Sequence, residues 1–157
     1  MATLIGLSVA PTEITIQIRP ATQADQKTIA RIIRDAGVNP MSLDWHRFVI
    51  AEDAGAVVGI GQVKQHGDGS RELASIAVIP ERQRQGIASD IIRALLANEH
   101  GDSYLLCRDE LESFYARFGF RKIGQREMSP YFRKIIRVIS IFARVAGRRG
   151  IVMKRAA

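Results

Sequence analysis

The residues of this chain whose types and spacing point most directly to a chemistry lie in one stretch, Ile76 to Ala88. It begins as an apolar, β-branched run, Ile76 to Ile79, which reads as the end of a buried strand. Pro80 stops the ladder because it has no N–H to give. A polar turn follows, and Gly86 stands just ahead of a helical pattern. A strand, a tight turn and a helix N-terminus together form an anion site: unpaired N–H groups point one way and the helix dipole adds positive potential. Gly86 has no Cβ, so the backbone there can approach a phosphate closely. Arg82 and Arg84 add charge beside it. An ordinary βα turn with exposed arginines would show the same residues, so spacing alone leaves both readings open. No Gly-Lys-Ser/Thr follows, which excludes a Walker loop, and the glycines are too few for a dinucleotide fingerprint.

Gln83-Arg84-Gln85-Gly86-Ile87-Ala88 also fits the pattern Q/R-x-x-G-x-G/A, preceded by an apolar-x-Val-x-Pro strand end. That resembles the acyl-CoA loop of the GNAT superfamily of N-acetyltransferases. A second piece, Phe114-Tyr115-Ala116-Arg117-Phe118-Gly119-Phe120, is similar to the superfamily's other common signature. Both occur in the family's order, about thirty residues apart, and the resemblance extends from about Ile14 to Arg155.

The resemblance implies roles for particular residues. Two strands part, and the pantetheine arm of acetyl-CoA lies between them. These would be Ser70–Ile79 and Ser103–Cys107. Main-chain groups of Ala77 and Val78 would bond the arm. The loop amides from Gln83 through Arg84, Gln85, Gly86 and Ile87 to Ala88, with Ser89, would hold the pyrophosphate. Acetyl transfer to an amine needs a base for the ammonium, a donor for the developing oxyanion and a proton for the departing thiolate. Tyr115 aligns with the family's general acid toward sulfur, although a packed aromatic like its neighbour Phe114 reads the same in sequence. Glu72, six residues before Val78, resembles the base of some histone acetyltransferases. Its even spacing with Ala74, Ile76 and Val78 predicts a shared strand face. A solvated carboxylate at the strand end, or a partner for Arg71, competes with that role, as does a water-linked base elsewhere. Arg108 stands where many members carry a cofactor-contacting Asn, and could meet a phosphate instead. Cys107 reads as a buried strand cysteine, since no His lies near it in sequence. Trp45 and His46, between the first helix and the second strand, read as a packed tryptophan and a surface histidine, whereas the resemblance implies that they are secondary contacts for the acceptor.

The elements that must position these residues follow in order. Alternation of Ile14, Ile16 and Ile18 predicts a strand over Glu13 to Arg19. Thr22 with Asp25 can open a helix that Gly37 closes. Met41 to Arg47 reads as a short helix or an ordered loop. Two strands, Phe48 to Ala51 and Ala56 to Gln65, flank a turn at Asp53-Ala54-Gly55. Gly59 and Gly61 would weaken the second or mark a bulge. His66 to Gly69 is a turn before the central strand. A helix from Gly86 to His100 buries Ile87, Ile91 and Leu95 with Ala88, Ile92 and Leu96. Then come a strand at Ser103 to Cys107, a helix from an Asp109 cap to Phe118, a strand over Phe120 to Met128, a helix from Pro130 to about Ala146 and a last strand, Gly150 to Lys154. The resemblance implies an α/β fold with a mixed, mostly antiparallel seven-stranded sheet, helices on both faces and an extra basic helix before the last strand. Residues 1–12 read as an arm and 13–157 as one domain.

The 157 residues suit one domain with a sizeable core. The net charge of +7 is uneven. Every acidic residue precedes Pro130, whereas Arg133, Lys134, Arg137, Arg144, Arg148, Arg149, Lys154 and Arg155 follow it. The basic balance therefore describes one segment, and gives no clear sign of nucleic-acid binding. In the insert, 129–147, Arg133, Arg137, Ser140 and Arg144 form one helix face. Tyr131, Ile135, Val138, Ile139, Phe142 and Val145 fill the other. It could cover the acceptor pocket, touch an anionic membrane or make a homodimer. As a cover, its arginines would steer an acceptor bearing an acidic group. Cys107 is the single cysteine, and His46, His66 and His100 lack metal-ligand spacing, so no metal is expected. The short apolar run Leu4 to Ala10 follows no basic residue, which argues against a secretory signal and for the cytoplasm. The expected activity is acetyl transfer from acetyl-CoA to a primary amine in a ternary complex. The competing reading is a CoA-binding module without catalysis that docks on an anionic partner or membrane through the basic helix.

Overall fold

The computed structural model describes residues 15–146 and 150–157, without side chains over 140–149. Part of the expected first strand and the arm at 1–12 lie outside the described residues. Seven strands form one sheet: β1 (Gln17–Pro20), β2 (Phe48–Asp53), β3 (Ala56–Gln65), β4 (Arg71–Val78), β5 (Ser103–Arg108), β6 (Arg121–Lys122) and β7 (Gly150–Arg155). Their order is β1-β2-β3-β4-β5-β7-β6. Every pairing is antiparallel except β4 with β5. The helices are α1 (Gln26–Asp35), α2 (Ile87–Ala97), α3 (Glu112–Ala116) and α4 (Pro130–Ala146).

Alternation along the strands divides the core by face. On one side α2 and α3 cover Ile87, Ile91, Ile92, Leu95, Leu105 and Met153. On the other, α1 seals Ile29, Ile33, Phe48, Ile50 and Ile60. Farther along that side, α4 sets Phe132 among Tyr104, Ile123, Met128 and Val152. The expected turn at Ala54-Gly55 has both residues at positive φ, as a tight hairpin demands. At the start of α1, Asp25 accepts hydrogen bonds from the Thr22 N–H (2.7 Å) and hydroxyl (2.9 Å).

Three expectations are corrected and one, on the glycines of β3, is extended. The strand over Phe120 to Met128 shrinks to Arg121–Lys122, because the chain turns at Gly124, whose carbonyl receives the Glu127 N–H at 3.0 Å. Ile123 and Met128 are buried there as loop residues. The helix expected from Asp109 is a 3-10 turn, Asp109–Leu111, followed by α3, and Asp109 lies inside that turn. Gly59 and Gly61 each stand at a register shift, as expected of residues that mark a bulge, and they have a second role. A Cβ on Gly61 would come within 2.6 Å of both Ile76 and Ile91, so the glycines let α2 sit close against the sheet. Finally, α4 is rotated about its axis from the expected orientation, so that Phe132 joins Tyr131 on the inward side. Phe132 is fully buried and Ile136 packs beside it, whereas Val138 is 46% exposed. Phe132 stacks on Tyr104, with ring centroids 5.1 Å apart, and that fixes the helix's rotation.

Candidate active site

β4 organises the site because its two edges differ. Against β3 it pairs along its length. Against β5 it pairs only at Arg71–Ser103 and Glu72–Tyr104. Beyond these, β4 continues to Val78 and β5 to Arg108 without partnering each other, so the two parallel strands part as they rise. β7 holds β5 along its whole length on the other side. The result is a slot whose β4 wall carries main-chain groups that β5 does not satisfy, a place for an extended ligand to add like a strand.

A bulge changes what each face of β4 offers. Ser75 and Ile76 together oppose Gly61, since the register steps from Ile60–Ala77 to Gln62–Ala74. Ser75 takes φ 57°. Leu73 precedes the bulge and Ile76 and Val78 follow it, yet all three pack toward α2. Even spacing predicted one shared face for Glu72, Ala74, Ile76 and Val78. The extra residue breaks that rule and leaves Glu72 on the opposite face. Tyr115 packs with the α2 side. The two expected catalytic residues therefore occupy opposite faces, with the slot joining them.

At the top of β4 the chain makes the expected loop. Pro80–Arg82 form one 3-10 turn, Arg84 and Gly86 take φ of 59° and 84°, and α2 starts at Ile87. The main-chain N–H groups from Arg84 to Ser89 have no main-chain acceptor among the described residues. A Cβ on Gly86 would meet nothing within 4 Å. This loop and the end of β4 border a cleft of about 410 Å³, shared with Phe114 and Arg117 of the second signature. The free amides, the helix N-terminus and the arginines suit a diphosphate. Gln83, Arg84, Gly86, Ile87, Ala88, Ser89 and Val78 all border the cleft. Ala77 and Ile87 bury their side chains, so what each offers is main chain. Gln85 turns away, its oxygen accepting from Arg82 Nε at 2.9 Å. Gln83 Nε2 donates to the Val78 carbonyl at 3.1 Å, so that carbonyl already has a partner.

Arg82 acts differently from the expected free charge. Its guanidinium pairs with Asp53 in the β2–β3 turn and clamps the loop to the sheet. Its Nη2 is buried beside the cleft without a partner among the described residues. No sequence signal joined Asp53 to Arg82, because the contact exists only once the hairpin folds over the loop. Arg108 is exposed and lies 3.9 Å from Glu110.

Tyr115 sits edge-on against Phe114, with centroids 5.0 Å apart, and near Phe120. Burial, with the neighbouring Cys107, pushes its hydroxyl up to about 12. The Cys107 thiol, pushed up to about 11 by burial and then by Glu112 and Asp109, is a poor nucleophile.

On the opposite face, the floor between α1 and α4 is polar. Glu72 Oε2 meets His66 Nε2 at 2.7 Å, with side chains 13% and 11% exposed. The His66 ring stacks on Tyr131 at 3.5 Å. Asp68, in the turn before β4, accepts from the Tyr131 N–H at 2.8 Å and so caps α4. Burial opposes its charge, but hydrogen bonds from Ser70 and from the Tyr131 N–H override that and hold its carboxyl well below the usual range. Gln62 and Lys64 on β3 lie across from Ala74 and Glu72. Above them runs the segment carrying Trp45 and His46, whose rings stack at 3.5 Å. It is held by Gln26, which donates to the Leu43 carbonyl at 2.7 Å. Sequence reasoning missed His66, Gln62 and Lys64. Alternation in β3 could have placed Gln62 and Lys64 on one face, but not buried them.

A family model described as acetyltransferase (GNAT) domain matches residues 44–122, half of the chain. No curated protein matches the sequence. Among solved structures, N-acetylglutamate synthase from Neisseria gonorrhoeae, complexed with coenzyme A and N-acetyl-glutamate, is similar with a TM-score of 0.70 and 22% identity. The match covers 92% of this chain but only 35% of that one, so this chain spans about a third of the synthase's length. Rv2747 from Mycobacterium tuberculosis, in complex with CoA and NLQ, gives a TM-score of 0.71 at 20% identity, covering 90% of this chain and 99% of that one. Ard1 from Thermoplasma volcanium gives 0.66 at 17%, covering 92% and 99%. At such identities these structures speak for the fold, whereas the family match takes in the hairpin, the parted strand, the loop and Tyr115. On that ground the chain belongs to the GNAT family of N-acetyltransferases.

Proposed function

We propose that the chain moves acetyl from acetyl-CoA directly to a primary amine, with both substrates bound together. The observation that carries this reading is the slot: β4 and β5 part after two residue pairs, with the amide-lined loop at one end and a polar floor on the opposite face. The amides of residues 84–89 hold the diphosphate, and the β4 main chain at Ala77 and Val78 aligns the pantetheine. Acetyl-CoA supplies the activated thioester. Glu72, oriented by His66, removes the ammonium proton directly or through water. The amine's nitrogen–carbon bond forms as the carbon–sulfur bond breaks, and a main-chain N–H near Ile76 to Val78 donates to the oxygen. The nitrogen sheds its second proton to solvent as the amide forms, and Tyr115 donates its proton to the departing sulfur and regains one from solvent. Its raised pKa keeps that proton in place throughout the physiological range.

The acceptor is read as an amine bearing an acidic group. Two features favour this: exposed Arg133 and Lys134 on α4, and N-acetyl-glutamate in the Neisseria synthase structure. Covering the acceptor side is favoured over membrane contact or dimerisation as the role of α4, because Phe132 and Ile136 are committed to the chain's own core. For the same reason, deleting the helix would open the core, and charge reversal at Arg133 and Lys134 is the cleaner probe of steering.

The test is thiol release from acetyl-CoA with amino acids, polyamines, peptide N-termini, lysine peptides and aminoglycosides as acceptors. Turnover with one class supports the reading. Stabilisation by CoA without turnover on any amine supports a non-catalytic CoA-binding module instead.

A further inference from the structure

β3 carries a buried cation that the transfer chemistry above does not use. Lys64 is 8% exposed. It enters no ion pair among the described residues, and its ammonium donates to the Met41 carbonyl at 3.1 Å. Burial pushes its pKa down, while Glu72 across the strand pulls it back in part. Glu72 makes no ion pair with it, since Glu72 Oε2 is turned to His66. An ammonium has three donors, and a single carbonyl is a meagre replacement for water around a buried charge. Two residues along the same face, Gln62 is fully buried, and its Oε1 has no partner among the described residues. Its Nε2 donates to Ser75 Oγ at 2.9 Å and to the Ser42 carbonyl at 3.3 Å. One strand position therefore holds an unused acceptor, and the next on that face a buried cation without an ion-pair partner among the described residues.

Resting on the acetyl-transfer reading, we propose that this pair selects the acceptor: Lys64 receives a carboxylate and Gln62 Oε1 receives the amine N–H of a free amino acid. The register gives the orientation. Gln62 lies opposite Ala74, beside the bulge, whereas Lys64 lies opposite Glu72, farther from the open end of the slot. The amine then faces the slot and the carboxylate points away from it. Side chains two apart on a strand are separated by roughly 7 Å. That suits an amine and a carboxylate on one carbon with a hydrogen bond added at each end. The Met41 and Ser42 carbonyls occupy these two side chains from the segment above. Met41 itself is 69% exposed, so its carbonyl is a partner that a carboxylate can displace.

The experiment compares amino acids with their decarboxylated counterparts, such as L-alanine with ethylamine and L-glutamate with 4-aminobutanoate. Initial rates of thiol release from acetyl-CoA are measured for the wild type and for Lys64→Met and Lys64→Gln. The wild type should favour the amino acid in kcat/KM by roughly 10- to 100-fold, as expected for a charge-assisted hydrogen bond to a buried partner. The Lys64 variants should lose that preference through the acceptor KM, with the KM for acetyl-CoA unchanged and the decarboxylated amine acetylated as before. A purely structural lysine would lower kcat/KM for both acceptors alike, and that result overturns the proposal. So does a wild type that prefers the decarboxylated amine, a measurement that needs no variant. If no amine in either set releases thiol but a polyamine, a peptide or an aminoglycoside does, this inference falls and the transfer reading stands. If acetyl-CoA raises the melting temperature but no amine of any class releases thiol, the transfer reading itself fails, and this inference with it.

Discussion

Gly86 offers the sharpest test of the loop. Its φ is 84°, a region that costs an L-residue roughly 1–2 kcal/mol. A Cβ there would meet nothing within 4 Å. Gly86→Ala therefore carries only the backbone penalty in folding, a drop of roughly 2–4 °C in melting temperature per kcal/mol for a chain of this size. Gly37 is the matched control, with φ 64° and equally open space at the end of α1. Both alanine variants should melt lower by similar amounts, and only Gly86→Ala should also lose CoA affinity. Gly86→Glu adds a carboxylate where the diphosphate is placed. At about 5 Å and an effective dielectric near 20, repulsion is about 3 kcal/mol per phosphate charge before salt screening, more than 100-fold in Kd. Calorimetric titration of acetyl-CoA, with a thermal melt of each variant, reads both quantities. A Gly86→Glu protein that is folded and binds acetyl-CoA within about twofold of the wild type would refute the assignment of the amides after Pro80.

Three more outcomes are expected. Tyr115→Phe should lower kcat by roughly 100-fold with an unchanged Kd for acetyl-CoA; equal turnover would remove its role. Because burial raises Tyr115 to about 12, its neutral form favours the folded state. That contribution is complete below the ordinary value near 10 and fades as pH rises through about 12, so an alkaline limb of kcat from this group near pH 10 would contradict the burial. Asp68→Ala should destabilise by about 1 kcal/mol through loss of the α4 cap, seen as a lower urea midpoint. Since the Asp68 carboxyl is held below its usual range, the wild-type advantage is present above that range and disappears as pH falls through the folded value. Asp53→Asn should weaken acetyl-CoA binding by roughly 3- to 10-fold by releasing Arg82 and the loop it clamps, without changing kcat. An unchanged Kd would show that the loop holds its shape alone.

Much of this protein can be read from local order. Pro80 and Gly86 bracket a turn because one lacks an N–H and the other a Cβ, and no distant contact is needed to see it. The hairpin at Ala54-Gly55, the stripe of Ile87, Ile91 and Leu95, and the helix opening at Pro130 follow from conformational preference and periodicity in the same way. The family signature rests on such short-range features, which is why the loop and Tyr115 were legible together.

What the chain could not disclose depends on partners far away in sequence. The face of Glu72 follows from one extra residue at Ser75, and a bulge is defined only against the strand it pairs with, here at Gly61. The inward face of α4 follows from where Phe132 meets Tyr104, not from the helix's own pattern. The clamp between Asp53 and Arg82, the pairing of His66 with Glu72, and the hydrogen bond from buried Lys64 to the Met41 carbonyl each join segments that touch only in the folded sheet. Periodicity tells which side chains share a face of an ideal element. Burial and charge compensation are set by what packs against that face, and only the tertiary structure supplies it.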